Sequence, residues 1–405
     1  MNVAVLGGGL QGCCIAIALA ARGARVALFD RNETLLSRAA IANEGKIHLG
    51  YVYAGDVSLA TARMMLRGAL AFAPFLERHL DLPAERIGKS GATTYVVHRD
   101  SQRNPEQISD YLTAHHALLT EATSGRDRDY FGIDLRPPPR LRSVSTDDAV
   151  FDSRLVRAIF DTQEIAIEPE GLAALLRDRI AATSAIELRL GRAVVGVSEE
   201  RDGFRVVCDD AQNDSRSRFD HVVNALWDGR LTLDATLGLL PRRPWMHRFK
   251  YGVRFRPPPG APAFPTATLI LGPFGEIVSY SSGAVYLTWY PVCMRGRSDN
   301  LAPPDCPTYP GEPLLSEIAE GTLRALAEIV PPLRAIDLDS LVDLRVKGGV
   351  IVAWGATDIV DPQSELHHRH EIGISSRGRY HSVDPGKLTM APYFAGLCAE
   401  RIFGS

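Results

Sequence analysis

Residues 2–30 read NVAVLGGGLQGCCIAIALAARGARVALFD, and the order of residue types in this stretch decides the fold. Asn2 to Leu6 alternates and is rich in Val and Leu, which predicts a strand. Gly7-Gly8-Gly9-Leu10-Gln11-Gly12 follows, and CCIAIALAARG then predicts a helix closed by Gly23. Ala24 to Asp30 predicts a second strand that ends in an acid. Gly7, Gly9 and Gly12 carry the G-x-G-x-x-G spacing in its required strand–turn–helix–strand context. Gly7 turns the chain sharply, Gly9 lets backbone come close to a pyrophosphate, and Gly12 lets the helix lie near the sheet. The helix start at Leu10 and Gln11 offers free N–H groups to phosphates. Asp30, followed by Arg31, is placed to accept hydrogen bonds from adenosine ribose hydroxyls and would repel a phosphate on that ribose, which disfavours NADP. A Gly-rich turn in an unrelated α/β protein would explain the glycines alone; the full order of elements favours a dinucleotide. It does not choose between FAD and NAD.

Outside this stretch the composition sets wide bounds. A chain of 405 residues allows one large domain or two to three smaller ones. With 45% hydrophobic and 23% charged residues it can build a full-sized core. A net charge of −3 gives no global preference for nucleic acid or an anionic membrane. Cys13, Cys14, Cys208, Cys293, Cys306 and Cys398 form no CxxC and no metal-ligand spacing, so they read as reduced thiols. The opening residues MNVAVLGGG carry no basic segment. The apolar run Cys13 to Ala21 is shorter than the about twenty residues a bilayer span needs. A cytoplasmic protein without a membrane span is expected.

Further along, Ser58 to His79 predicts a long amphipathic helix with a kink at Pro74. Gly91 to His98 predicts a strand, Pro105 to Leu119 a helix, and RPPPR at 136–140 an extended segment or boundary. A helix begins at Glu168-Pro169-Glu170-Gly171. Strands are predicted at Ile186 to Leu190, Ala193 to Ser198, Phe204 to Cys208 and His221 to Ala225. Past Pro241 the pattern becomes a run of alternating strands with turns, as in an antiparallel sheet, with a helix over 313–331, a strand-like stretch over 341–355 and a closing helix over 387–403. The expectation is an α/β fold (α+β overall). A Rossmann-like dinucleotide domain is formed by 1–85, 150–240 and 336–405, with a substrate domain built on an antiparallel sheet from 86–149 and 241–335.

Four segments together resemble one superfamily of flavoproteins, the group with D-amino-acid oxidase, glycine oxidase, glycerol-3-phosphate dehydrogenase and L-2-hydroxyglutarate dehydrogenase. They are Gly7 to Gly12 with Asp30; Ser37-Arg38 with Asn43-Glu44-Gly45-Lys46-Ile47-His48-Leu49-Gly50-Tyr51-Val52-Tyr53; Val222-Val223-Asn224-Ala225-Leu226-Trp227; and Gly386-Lys387-Leu388-Thr389-Met390-Ala391-Pro392. The resemblance implies FAD. It places Ser37, Arg38, Asn43, Gly45, Lys46, Ile47, His48, Val194, Ala225, Trp227, Gly386, Lys387, Leu388 and Thr389 along the cofactor, with the 43–50 loop beside the flavin ring. In some relatives a histidine in this region carries the flavin covalently, but the pattern here is closer to groups with non-covalent FAD. A purely structural role, His48 bonding to a carbonyl and shaping the loop, is the alternative.

The resemblance further implies hydride transfer from a C–H bond beside an amine or hydroxyl, to dioxygen or to another acceptor. His48 is the candidate base. Lys387, just before a helix, is the candidate cation beside the reduced ring. Arg345 falls where relatives have an arginine for substrate anions, although their following proline is missing. Lys250, Tyr251 and Arg254 on a predicted strand, with Tyr53, are the other candidate substrate residues; a solvated strand face or core aromatics is the competing reading. No metal is expected, and His367-His368-Arg369-His370 reads as an exposed loop. The substrate expected is a small polar, anionic metabolite such as an amino acid or 2-hydroxy acid. A flavin monooxygenase and a non-redox nucleotide-binding protein share the first fingerprint. The monooxygenase reading lacks its late Gly-Asp-Ala-x-H type segment.

Overall fold

The computed structural model describes residues 1–83, 86–125, 129–209 and 218–404. Strand β1 (Asn2–Leu6) lies in the interior of a six-stranded sheet, and Val3 to Leu6 are shut off from solvent on both faces. Its neighbours are β2 (Arg25–Phe29) and His221–Asn224, both parallel to it. Ile186–Arg189 extends the sheet on one side. On the other, Tyr380–Asp384 pairs parallel to His221–Asn224, and Gly373–Arg377 closes the edge antiparallel. Helix α1 (Leu10–Ala21) crosses between β1 and β2. Gln11 donates to the carbonyl of Ala391 at 3.0 Å, tying α1 to the C-terminal helix Ala391–Phe403.

The second sheet has nine strands. Its long strands Trp245–Arg256 and Val342–Trp354 pair antiparallel along almost their whole length. Alternation sorts the first of them by face. Phe249, Tyr251 and Val253 join an apolar core that also takes Ile318, Leu326 and Ile329 of the helix Leu314–Ile329. Arg248, Lys250 and Arg254 make ion pairs to Asp358, Glu44 and Glu168. Two strands of this sheet, Val156–Asp161 and Val342–Trp354, fall inside segments expected for the dinucleotide unit. Periodicity does not reveal which sheet a strand joins. The expected boundary at residue 85 lies outside the described residues.

Helix α2 (Ala60–Leu80) starts two residues later than its apolar periodicity predicts. The Asp56 carboxylate takes the Ser58 and Thr61 backbone N–H groups, holding Ser58 in a turn. Pro74 sits within α2, which continues past it. The helix Pro105–Thr123 is closed at its start by a capping box between Asn104 and Gln107. All six cysteines are free thiols. Among the described residues no helix is long and apolar enough to cross a membrane. The 367–370 segment differs from the exposed loop expected: His367 and Arg369 are buried and His368 is exposed.

Candidate functional site: a long cleft and an adjoining chamber

A cleft of about 540 Å³ runs from the glycine turn to the C-terminal lysine. At one end are Gly7, Gly9, Leu10 and Gln11, where helix α1 begins with N–H groups that have no partner inside the helix. The three glycines differ in what a side chain would meet. At Gly12 a Cβ would run into the carbonyl of Gly7, so that glycine is needed for packing. Gly7 has φ +107°, in the range that favours glycine. Gly9 has no neighbour within 4 Å of where a Cβ would stand. Its missing side chain clears space in the cleft and not in the core, as approach of a phosphate group requires.

The middle of the cleft is polar. Asp30 accepts from the Gly8 N–H at 2.7 Å and, through its other oxygen, from Asn32, which fixes the turn. Arg31 and Arg38 reach Asp228 at 3.0 and 3.1 Å. Burial raises the Asp228 carboxyl above its usual range against the pull of Arg31. Ser37, Asn43, Val194, Ala225 and Trp227 complete the walls. Trp227, at φ +55°, donates its indole N–H to the Val350 carbonyl at 2.8 Å, joining this wall to the second sheet.

At the far end the early loop meets the late turn. The Thr389 hydroxyl accepts from the His48 N–H at 2.9 Å and donates to the Lys46 carbonyl at 3.1 Å. Gly386, Lys387 and Leu388 lie on the cleft beside His48. Gly45, at φ +73°, packs on the Ile167 carbonyl, and Ile47 is core; these two and Thr389 shape the loop from behind. The buried Lys46 ammonium pairs with Glu276 at 2.7 Å and bonds also to Thr268, both on the wall of the adjoining chamber.

Beyond that end lies a chamber of about 100 Å³. It shares Glu44, His48, Tyr290, Ile351 and Lys387 with the cleft. His48 turns Nδ1 toward Glu164 Oε1 at 3.2 Å, and its ring meets the Tyr53 ring edge-on at 5.5 Å. Glu164 is fully buried and holds three groups at once: His48, the Leu49 N–H at 2.7 Å and the Tyr95 hydroxyl at 2.5 Å. Burial pushes the Glu164 carboxyl up, but His48 and Lys46 outweigh it and leave it below its ordinary range. For Glu44 burial is likewise outweighed, by Lys250, Lys387 and His48, which bring it to about 2. Lys387 is drawn down to about 8 by burial and by Arg369.

Arg369 is the unusual member of the chamber. It is 7% exposed, and burial with Arg248 nearby lowers it to about 10. Its Nε donates to the Leu366 carbonyl at 2.9 Å, while its buried Nη1 has no partner among the described residues. Arg248, also on the chamber, is paired with Asp358.

The expected substrate residues separate. Tyr53 lines the chamber and Lys250 lines the cleft, 3.5 Å from Glu44. Tyr251 faces the opposite core and donates to the Pro307 carbonyl. Arg254 is four residues along the strand from Lys250, about 13 Å at the usual rise, and is taken up by Glu168 and Glu170. Arg345 is half exposed, near Glu170 and Asp343, and borders neither cavity. Glu164, Glu276, Arg248 and Arg369 carry no motif; Arg369 lies in a polar, histidine-rich stretch that reads as a surface loop.

The sequence matches the model of the DAO family, described as FAD dependent oxidoreductase, over residues 2–401. The chain therefore belongs to the DAO family of FAD-dependent oxidoreductases. It is similar to the FAD-dependent monooxygenase FPY4 of Fusarium mangiferae, with 24% identity over 278 residues, covering 68% of this chain and 60% of that protein. The aligned stretch thus spans less than two thirds of that relative's length. Among solved structures it resembles glycine oxidase from Geobacillus kaustophilus, at TM-score 0.67 and 17% identity, covering 99% of this chain and 94% of that one. It also resembles NikD, an amino acid oxidase essential for nikkomycin biosynthesis, at TM-score 0.68 and 18% identity, covering 99% and 93%. The cofactor of the family, FAD, fits the open space at Gly9, the helix start and the length of the cleft.

Proposed function

We propose that the protein oxidises the CH–NH or CH–OH group of a small anionic metabolite, an amino acid or a 2-hydroxy acid, in the cytoplasm. FAD supplies the acceptor for the hydride when bound. The observation that carries the reading is Arg369. A guanidinium out of water, with a donor unpartnered and no acid paired to it among the described residues, is costly until an anion completes it. A carboxylate matches its planar donors.

The other groups divide the remaining work. Glu164 holds Nδ1 of His48, so Nε2 is the nitrogen left to take a proton from the substrate amine or hydroxyl. Lys387 and Lys250 offset the negative charge of Glu44 and of a bound anion. Glycine oxidase and NikD, whose names specify amino acid substrates, support the amine branch by fold likeness. The relative named a monooxygenase supports a second reading, oxygen insertion after reduction by a nicotinamide cofactor. One anaerobic experiment separates them. Bleaching of the visible flavin band by amino or hydroxy acids, with NADH and NADPH inert, is expected; bleaching by a nicotinamide alone would favour the second. In the same assay Arg369→Ala should raise the KM for the anionic substrate by tenfold or more (roughly 1.4 kcal/mol or more). The change should be far smaller for an analogue lacking the carboxylate.

A further inference from the structure

The two histidines that flank Arg369 are not used by this reading. His368 is in extended backbone, φ −98° and ψ 96°. Alternation in such a segment sends residues 368 and 370 to one side and Arg369 to the other. Both imidazoles turn toward one carboxylate, Asp56. His368 Nδ1 is 3.5 Å from Oδ1 and His370 Nδ1 is 3.6 Å from Oδ2. Neither contact is a hydrogen bond. Three such ligand atoms within 4.8 Å of one another suit a shared ion: metal–ligand bonds of about 2.1 Å put tetrahedral ligand atoms about 3.4 Å apart.

Three further features bear on this. The Asp56 side chain is fully buried and its orientation is fixed by four donors, Ser58 N and Oγ and Thr61 N and Oγ1. Supporting bonds of this kind hold ligating carboxylates in metal sites. The Nδ1 of His370 is buried with no hydrogen-bond partner among the described residues, a polar atom that an ion would satisfy. The two rings stand at 83° with centroids 6.2 Å apart, so they do not stack on each other. His368 is half exposed, which leaves a path from solvent and room for water on the ion.

We propose that Asp56, His368 and His370 form a binding site for a divalent first-row transition ion. Two imidazoles and one carboxylate favour Zn²⁺, Co²⁺ or Ni²⁺ over Mg²⁺ or Ca²⁺. The site is structural: it joins the turn before helix α2 to the segment that carries Arg369. That segment already rests on the same turn, because the Arg369 N–H donates to the Thr61 hydroxyl at 2.9 Å. An effect on substrate affinity would rest on the function proposed above; the binding itself does not.

The test is calorimetric titration of chelator-treated holoprotein with ZnCl₂, with flavin content confirming the fold of each variant. One Zn²⁺ per chain is expected, with a micromolar or tighter Kd and a higher thermal midpoint. His368→Ala and the double variant His368→Ala/His370→Ala should each bind about tenfold more weakly or worse, and His116→Ala, which is not one of the three ligands, should bind as before. A titration without saturable heat, or equal affinity in the double variant and the parent, overturns the site. Neither result bears on Arg369 or on the flavin reaction.

Discussion

Gly9 and Gly12 belong to one fingerprint but to different physical problems. Gly12→Ala pushes a methyl into the Gly7 carbonyl and should cost stability with and without FAD. Gly9→Ala meets no protein atom within 4 Å. Its apoprotein should unfold at the parent temperature while FAD affinity falls tenfold or more (about 1.4 kcal/mol or more). Thermal scans with and without FAD compare the two. Lys387, drawn down to about 8, loses its charge as pH rises through that value. The Kd of an anionic inhibitor should therefore rise above pH about 8, and Lys387→Met should flatten that limb. Glu164→Gln removes the charge behind His48 and should lower kcat by roughly 10²-fold, the scale of a misplaced general base, with KM changed little. At this scale sequence was informative only where a motif fixes backbone. Gly7 was legible because the turn into a phosphate-facing helix demands it; Asn43, His48 and Lys387 entered only through the resemblance to a flavoprotein superfamily. Arg369 and Glu164 were not, since their roles arise from long-range packing that gives no spacing.

At the scale of elements, helix α2 transmits a constraint to the site. Gly68 on its buried face packs against the Thr389 carbonyl and Met390. Thr389 in turn holds the His48 loop. Gly68→Leu should displace the Leu388–Met390 turn and lower the flavin retained on purification, although no residue of the cleft is altered. The absorbance ratio of flavin to protein reads this out. The helix itself was plain in its apolar periodicity. Its first turn was misplaced because Asp56 diverts the backbone groups of Ser58 and Thr61. Strand alternation told that Lys250 and Arg254 share a face, but not how far the cavity extends along it.

Across the whole molecule, charges between the two sheets make folding sensitive to acid. The Glu44 carboxyl lies at about 2 in the fold against an ordinary 4.5. Its stabilising contribution is complete above about 4.5 and disappears as pH falls toward 2. Glu44→Gln should be less stable than the parent at neutral pH but lose less over that interval, as urea unfolding at stepped pH will measure. The antiparallel strands that follow Pro241 were plain in the change of pattern there; that Thr94–His98, Arg140–Arg142 and Val156–Asp161 join the same sheet was not. Nor was the insertion of Val342–Trp354 into the second sheet, because pairing partners leave no local trace.

The wall common to the cleft and the chamber has a kinetic consequence. Glu44, His48, Tyr290, Ile351 and Lys387 face both spaces, so a ring seated in the larger one supplies a missing side of the smaller. The two ligands are then thermodynamically linked, and each should tighten the other's grip by the same factor. Turnover would follow a compulsory sequence in which the resident group is loaded once and its small guest comes and goes.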